Sequence, residues 1–308
     1  MDTESILVMG TGAMACLFSA RLAAAGANIC MLGTWADGLQ ALRRDGVRIV
    51  EEDSQEHAFP VRAADDPIEC TGARLAMVLV KSWQTERVAR QLKQCLAEDG
   101  LALTLQNGIG NYETLVAALG TERVAAGVTT LGATLLQPGL VRQAGHGVIV
   151  LNGHPHLGPL VAWLRKANCE VEFTTDLKSL IWGKLVVNAA INPLTALLGV
   201  PNGELLNRGP ARALLAGAAQ EAAAVAVAQG IQLPYPDPVA TVEGVAARTA
   251  QNRSSMLQDV RRGAPTEIDA ICGAIVRAGE QSGVPTPINR ALWQLVSALS
   301  VNGKLDKG

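Results

Sequence analysis

The chain is expected to be an α/β protein, with a doubly wound parallel sheet in its first half and an all-helical second half. Three observations carry this expectation. Short apolar runs alternate with helical periods as far as residue 120 or so, the pattern of a parallel sheet with crossover helices. A glycine-rich turn separates the first apolar run from the first helical period. From about Asp176 onward, apolar residues recur at helical spacing almost throughout. A length of 308 residues accommodates two domains, and we place them at residues 1–174 and 175–308.

The first element is the short strand SILVMG, followed by G-x-G-x-x-A at Gly10, Gly12 and Ala15 and a helical period ending at Gly26. A second strand, ANICML, follows. Strand, glycine turn, helix and second strand form the context of a dinucleotide-binding turn. Gly10 allows the tight bend, Gly12 lets a pyrophosphate approach the backbone, and Ala15 permits close packing of helix on strand. The helix N-terminus adds free N–H groups and a partial positive charge. Gly10, Thr11, Gly12, Ala13 and Met14 are therefore the expected cofactor-binding turn.

RLAMVLVKSWQTERVARQLKQCL repeats the strand–helix unit, and GLALTLQNGIGNYETLVAALG reads strand, turn, helix. Ligands of such sheets sit beyond the carboxyl ends of the strands, where Gly10, Lys81 and Asn107 all fall. Taken singly, Lys81 equally fits a solvated charge, and Asn107 a turn residue before Gly108. VAAGVTTLGATLLQPGLVRQAGHGVIVLNG shows short β-rich runs broken by Pro-Gly and Gly-His-Gly. Hairpins are expected there to finish the sheet in antiparallel fashion. His154 and His156 flank Pro155 with no cysteine or carboxylate in ligand spacing, so they read as surface residues and no metal site is expected.

The second half opens with IWGKLVVNAAINPLTAL (181–197), an apolar helix with Lys184, Asn188 and Asn192 at every fourth place. At about 100° per residue a four-residue step drifts by only about 40°, so the three side chains form one polar stripe about 12 Å long. Such a stripe lines something polar. Pro193 lacks an N–H, so it frees the Ala189 carbonyl and bends the axis. Farther on, NRSSMLQDVRRGAPTEIDAICGAIVRAG places Asn252 and Ser255 three apart, on one expected helix turn. A loop at Gly263 and Pro265 follows, then Glu267 at the head of another apolar helix. An early carboxylate there also complements the helix dipole.

Apolar residues make up 49% of the chain and the formal charge is -2. That balance gives no polyanion-binding surface, so no nucleic-acid partner is expected. The six cysteines are scattered without a C-x-x-C pair and read as reduced, structural thiols of a cytoplasmic protein. Nothing at the N-terminus has the layout of a signal peptide. The apolar run 211–230 owes its character to alanine and carries Arg212, Gln220, Glu221 and Gln229. A buried helix fits it better than a membrane span. The apolar C-terminal helices fit either a homodimer contact or the domain core.

The G-x-G-x-x-A turn, VKSWQ (80–84), QNGIGN (106–111), WGKLVVNAAINPLTAL (182–197), NRSSMLQDV (252–260) and TEIDAICG (266–273) occur in this order and spacing. Together they closely resemble the ketopantoate reductases (2-dehydropantoate 2-reductases) over nearly the whole chain. The resemblance implies a Rossmann domain followed by a helical domain of the 6-phosphogluconate dehydrogenase C-terminal type, with NADPH and substrate in the cleft between them. It implies reduction of 2-dehydropantoate to (R)-pantoate, a step of pantothenate and coenzyme A biosynthesis. By position, Lys184 matches the family's catalytic lysine and Glu267 its second catalytic residue. Asn107, Asn188, Asn192, Asn252 and Ser255 match substrate- or nicotinamide-contacting positions, and Lys81 one beside the cofactor.

The chemistry accounts for the lysine stripe. Hydride delivered to C2 of a 2-keto acid leaves negative charge on the carbonyl oxygen, which a nearby ammonium stabilises and protonates. Arginine would keep its proton. Asn188 and Asn192 can hold Lys184 and the substrate hydroxyl without adding charge. Ser255 and Asn252 can donate to the carboxylate, and Glu267 can accept from the hydroxyl or stabilise the ammonium. No metal is needed.

One stretch departs from the family pattern. An arginine that would meet a 2′-phosphate after the second strand is replaced by Gly33, Thr34 and Trp35, and an acidic residue for a ribose diol is missing there too. Asp37 lies farther along and reads as a helix cap. Thr34 can bond a phosphate or a hydroxyl, Trp35 can stack on adenine, and Arg43 and Arg44 read as surface charges of the next helix. NADPH is the expected cofactor and NADH the alternative. Two other readings are a reductase of another branched 2-keto acid and a non-catalytic dinucleotide sensor.

Overall fold

In the first unit, ILVM buries all four side chains in β1 (Ile6–Met9), as a strand covered on both faces must. Successive residues point to opposite faces. Ile6 and Val8 accordingly pack with Leu17, Phe18, Met31 and Leu164, whereas Leu7 and Met9 pack with Val78, Leu92 and Leu115. Each such buried side chain contributes about 1.5–3 kcal/mol. A computed structural model describes residues 5–51 and 54–302. The chain divides into two units, the first taking in residues up to Gln106 and Gly110–Leu177, the second Asn107–Ile109 and the residues from Lys178 on.

From β1 the glycine turn leads into α1 (Ala13–Ala24), β2 (Ile29–Leu32), α2 (Ala36–Asp45), β3 (Val47–Val50), β4 (Glu56–Phe59) and β5 (Arg62–Ala64). Then come β6 (Ala73–Val78), α3 (Thr85–Cys95), β7 (Leu96–Thr104), α4 (Asn111–Leu119) and β8 (Val124–Thr129). β9 (Ala133–Gln137), β10 (Leu140–Gln143), β11 (Val148–Asn152), α5 (Gly158–Lys166) and β12 (Glu170–Thr174) complete the unit. The main sheet runs β12-β11-β8-β7-β6-β1-β2-β5. From β5 to β8 every neighbouring pair is parallel. The winding reverses between β1 and β6, the switch point at which such sheets bind ligands.

The expected antiparallel finish holds only in part. β11 does run antiparallel to β8, but β12 returns parallel to β11. β9 and β10 leave the sheet altogether and join β3 and β4 in a second one, β4-β3-β10-β9. The reason lies in α1, whose residues from Ala15 to Leu22 are buried apart from Arg21. The second sheet packs on this helix through β3, β4, β9 and β10, with Ile49 and Val141 in the same core as Phe18. A second correction concerns Asp37. It occupies the first turn of α2, where it complements the dipole, while Trp35 holds the cap position without a side-chain hydrogen bond.

The second unit comprises α6 (Leu177–Leu198), α7 (Gly209–Ala228), α8 (Pro238–Arg248), α9 (Ser255–Arg261), α10 (Ala274–Ser282) and α11 (Pro287–Asn302). A π-helical turn, Asp269–Gly273, runs directly into α10. Its core joins Trp182, Leu185, Ala189, Ile271, Ile275, Leu292 and Val296. α6 and α7 are long and apolar enough to cross a membrane. Here α7 instead presents buried Ala218, Ala219, Ala222 and Val225 to its neighbours. Its Glu221 accepts from the backbone N–H groups of Ile288 and Asn289 at 2.8 and 2.9 Å. The carboxylate thereby satisfies the otherwise unpaired N–H groups at the start of α11.

Pro193 does lie inside α6. The Ala189 carbonyl that it deprives of a helical partner takes a weak bond from the Cys272 thiol at 3.8 Å. Burial raises the Cys272 pKa well above the ordinary thiol value, which keeps the proton on sulfur for that bond.

Candidate active site

In the first unit the glycine turn fits a pyrophosphate. Gly10 has φ +121°, and a Cβ there would lie 3.1 Å from Val80 Cγ1, so only glycine suits the bend. Gly12 occupies the N-cap of α1, and a Cβ there would meet nothing within 4 Å. The first turn of α1 carries no acidic residue to compete for its N–H groups. Space, open donors and dipole therefore coincide, as an anion requires.

The stretch after β2 is shaped by its neighbours. A Cβ at Gly33 would lie 2.7 Å from Thr11 Cγ2, so glycine there makes room for the buried Thr11. A Cβ at Gly38 would lie 2.5 Å from Trp35 Cε3, so one face of the indole rests on that glycine. Trp35 remains 39% exposed, enough to leave ring surface for stacking, and Thr34 is exposed beside it. Arg43 pairs with Asp65 and Arg44 with Asp45 on the surface.

Lys81 follows β6, half-buried, in a loop held by a network that no sequence signal singles out. Gln106 donates to the Val80 carbonyl at 3.0 Å and to Thr85 Oγ1 at 2.9 Å. Thr104 Oγ1 donates to Gln106 Oε1 at 3.0 Å. Thr85 Oγ1 in turn lies 2.7 Å from Asn111 Oδ1 and 2.8 Å from the Ser82 carbonyl. Thr85, Thr104 and Asn111 are all buried. A satisfied buried network of this kind is rigid, and it fixes the backbone on both sides of Lys81.

The second unit gathers the other expected residues. Lys184, Asn188 and Asn192 share one face of α6, the first two partly buried and Asn192 buried. Burial lowers the Lys184 pKa to about 8, opposed by the charge of Glu267. Glu267 is 6% exposed and stands two residues before the π-helical turn that runs into α10. Asn107 belongs to this unit, its Nδ2 donating to Glu267 Oε2 at 3.4 Å. The contact depends on the strap 107–109. Ile109 N–H donates to the Ala270 carbonyl at 3.3 Å. Gly108, at φ +82°, passes so close that a Cβ would lie 2.6 Å from the Ala270 oxygen.

Gly108→Ala is therefore expected to strain both backbones and draw Asn107 away from Glu267. Adding about 1–3 kcal/mol of backbone strain to overpacking of the same order, we expect a stability loss of about 2–6 kcal/mol. Thermal denaturation measures it, and an unchanged midpoint would show that the strap yields freely.

Comparison with known proteins gives the family. The family model described as ketopantoate reductase PanE/ApbA matches residues 6–156, and that for the ketopantoate reductase PanE/ApbA C terminal matches residues 176–300. The chain belongs to the ketopantoate reductase family. A family relative, the 2-dehydropantoate 2-reductase of Halobacterium salinarum, is 34% identical across 97% of this chain and 99% of its own length. The crystal structure of a PanE/ApbA family ketopantoate reductase from Ralstonia eutropha JMP134 superposes with a TM-score of 0.90, at 33% identity over 97% of this chain and 99% of that one. D-mandelate dehydrogenase, in a ternary structure with NADH and anilino(oxo)acetate, has a TM-score of 0.89 at 27% identity, over 97% of this chain and 99% of its own.

Two residues of this family member lie elsewhere than their spacing suggests. Asn252 and Ser255 do not share a helix turn. α9 begins at Ser255, and Asn252 lies in the non-helical segment before it, where its N–H donates to the Thr249 carbonyl at 2.8 Å and its carbonyl accepts from Asn202 N–H at 3.0 Å. Both residues are exposed. Ser254 is the reason, because it takes the N-cap position and accepts from Leu257 N–H at 3.1 Å, so the helix cannot start earlier. Ser254 also reaches α6, its Oγ 2.7 Å from Thr195 Oγ1. Thr195 is fully buried three residues beyond Asn192 and extends the polar stripe. Its signal in the sequence was the i+3 spacing, masked by the hydroxyl's usual bond to its own helix. His154 and His156 sit on an exposed loop with rings 5.7 Å apart. Among the described residues no three metal-ligating side chains cluster.

Proposed function

We propose that this family member reduces 2-dehydropantoate to pantoate, with Lys184 as the proton donor and Glu267 as the group that keeps it charged. The observation that carries the assignment is the pairing of a burial-depressed lysine with a buried carboxylate in one helical unit. A nicotinamide nucleotide, when bound, supplies the hydride to C2. The backbone from Gly10 to Met14 would hold its pyrophosphate, and Lys81 would lie beside it. Lys184 Nζ gives its proton to the former carbonyl oxygen as charge develops there. A pKa of about 8 leaves the ammonium charged at neutral pH yet ready to release its proton. Asn188, Asn192 and Asn107 hold the oxygen and the substrate hydroxyl, and the exposed Asn252 and Ser255 meet the carboxylate.

NADPH is the proposed nucleotide. At the end of β2, Gly33, Thr34 and Trp35 put no carboxylate where it would repel a 2′-phosphate, the exposed Thr34 hydroxyl can bond one, and the free ring surface of Trp35 can take the adenine. Steady-state assays with 2-dehydropantoate should give a higher kcat/KM with NADPH than with NADH. The reverse order overturns the cofactor assignment, and turnover with neither overturns the reaction.

A second reading, reduction of another 2-keto acid, is favoured by the likeness to D-mandelate dehydrogenase. The same assay with aryl and branched 2-keto acids separates the two. A metal-free reaction, a cytoplasmic location and no nucleic-acid or membrane partner complete the proposal. Exposed Leu295 and Leu299 on α11 favour a homodimer.

A further inference from the structure

We propose that Cys30 and Cys70 form a peroxide-responsive thiol pair in the first unit, closing to a disulfide beneath Arg62. Cys30 lies on β2, and Cys70 ends the 3-10 turn Pro67–Cys70 ahead of β6. Both are free thiols with their Sγ atoms 3.4 Å apart. A disulfide needs about 2.05 Å, so the two sulfurs must close by about 1.3 Å from their 3.4 Å separation. Arg62 pairs in register with Cys30 across β2 and β5. Its Nε donates to Cys30 Sγ at 3.3 Å, while Nη2 lies 3.9 Å from Cys70 Sγ. The same guanidinium is anchored on the Glu69 carbonyl, so it is held over both sulfurs.

The surroundings divide the labour between the two thiols. The hydrogen bond from Cys70, and then the bond and charge of Arg62, hold the Cys30 pKa down to about 6 against its burial, with Glu69 opposing. Cys70 is pushed upward by the bond to Cys30 and by burial. Cys95 of α3, the other thiol in this cluster, is raised by burial to about 11. Arg62 makes its shorter contact to Cys30, at 3.3 Å against 3.9 Å to Cys70, so Cys30 is the thiolate and nucleophile and Cys70 the protonated partner that resolves the product. Both thiols are buried, and the residues Cys30 and Arg62 border an open surface depression of about 490 Å³ together with Asn28 and Pro60.

The step balances with a peroxide as the named oxidant. Cys30 thiolate attacks one peroxide oxygen; an S–O bond forms, the O–O bond breaks, and the leaving hydroxide takes a proton to become water. Cys70 then attacks the Cys30 sulfenic sulfur; the S–S bond forms, the S–O bond breaks, and the hydroxide leaves as water with the Cys70 proton. Two thiols are oxidised and one peroxide is reduced to two waters. The bridge ties β2, the strand that leads into Thr34 and Trp35, to the turn before β6.

The test treats the reduced full-length chain with hydrogen peroxide at neutral pH, alkylates the remaining thiols and maps the peptides by mass spectrometry. A Cys30–Cys70 cross-link is expected, with Cys16, Cys169 and Cys272 still thiols. Cys70→Ser should stop at a sulfenic acid on Cys30 that dimedone captures, and Cys30→Ser should leave Cys70 unoxidised. Arg62→Gln should slow the reaction about 10-fold at neutral pH, with recovery as the pH rises. Both serine variants should retain unoxidised turnover. If Cys30 stays open to alkylation after peroxide, or if Cys70→Ser yields no dimedone adduct, the proposal is overturned.

Discussion

Lys184→Ala should lower kcat by about 10²- to 10⁴-fold, the usual worth of a positioned general acid, while the protein folds and still binds the nucleotide. The size of the loss follows from the chemistry, because without the ammonium the oxygen that receives negative charge has neither a counter-charge nor a proton source. Folding should survive for a related reason. The Lys184 pKa is lowered to about 8 by burial, so the charged form is held at a cost that alanine does not incur. The same depression predicts a pH limb. Lys184 carries its proton below about 8 and loses it above, so kcat/KM should fall as the pH rises through that value. Single-turnover rates, circular dichroism and nucleotide binding by fluorescence check the three expectations. Near-normal turnover in Lys184→Ala removes the lysine from the reaction.

Glu267→Gln should cost about 10- to 150-fold in kcat/KM near pH 7.5, the worth of about 1.5–3 kcal/mol for a hydrogen bond to a charged group. Its diagnostic is the direction in which the pH limb moves. Glu267 raises the Lys184 pKa against burial, so its neutralisation lowers that pKa further and the limb shifts to lower pH. Activity in Glu267→Gln should therefore recover partly on acidification, where Lys184 regains its proton. A carboxylate that merely ended a helix would leave the limb in place. Asn107 gives a second check, since its 3.4 Å bond to Glu267 survives an amide in altered form, and Asn107→Ala should lose less than Glu267→Gln.

The parts of this site that could be read from the sequence are those with short-range rules. Gly10, Gly12 and Ala15 announce a strand–turn–helix because bend, approach and packing each demand a small residue within six positions. Lys184, Asn188 and Asn192 announce a shared face because helix geometry converts a four-residue step into a stripe. The resemblance to ketopantoate reductases then supplied roles for those positions. Errors arose where two local rules competed. Ser254 and Ser255 are equally plausible helix starts in N-R-S-S, and the cap went to Ser254 because its hydroxyl also meets Thr195 on α6. Asn252 was left outside the helix as a result. Hairpin signals likewise predicted strands correctly for β9 and β10, yet said nothing of which sheet would receive them.

By itself the sequence determined the parallel sheet with its glycine turn, the helical second half and the polar stripe on α6, all consequences of periodicity and backbone freedom within a few residues. Tertiary structure alone decided that Asn107–Ile109 joins the helical unit. It also paired Asn107 with a carboxylate 160 positions away, drew β9 and β10 across α1, and set Cys30 against Cys70 beneath Arg62. Those pairings depend on which distant surfaces bury one another. No local spacing encodes such a choice, because its free energy is realised only when the whole core closes.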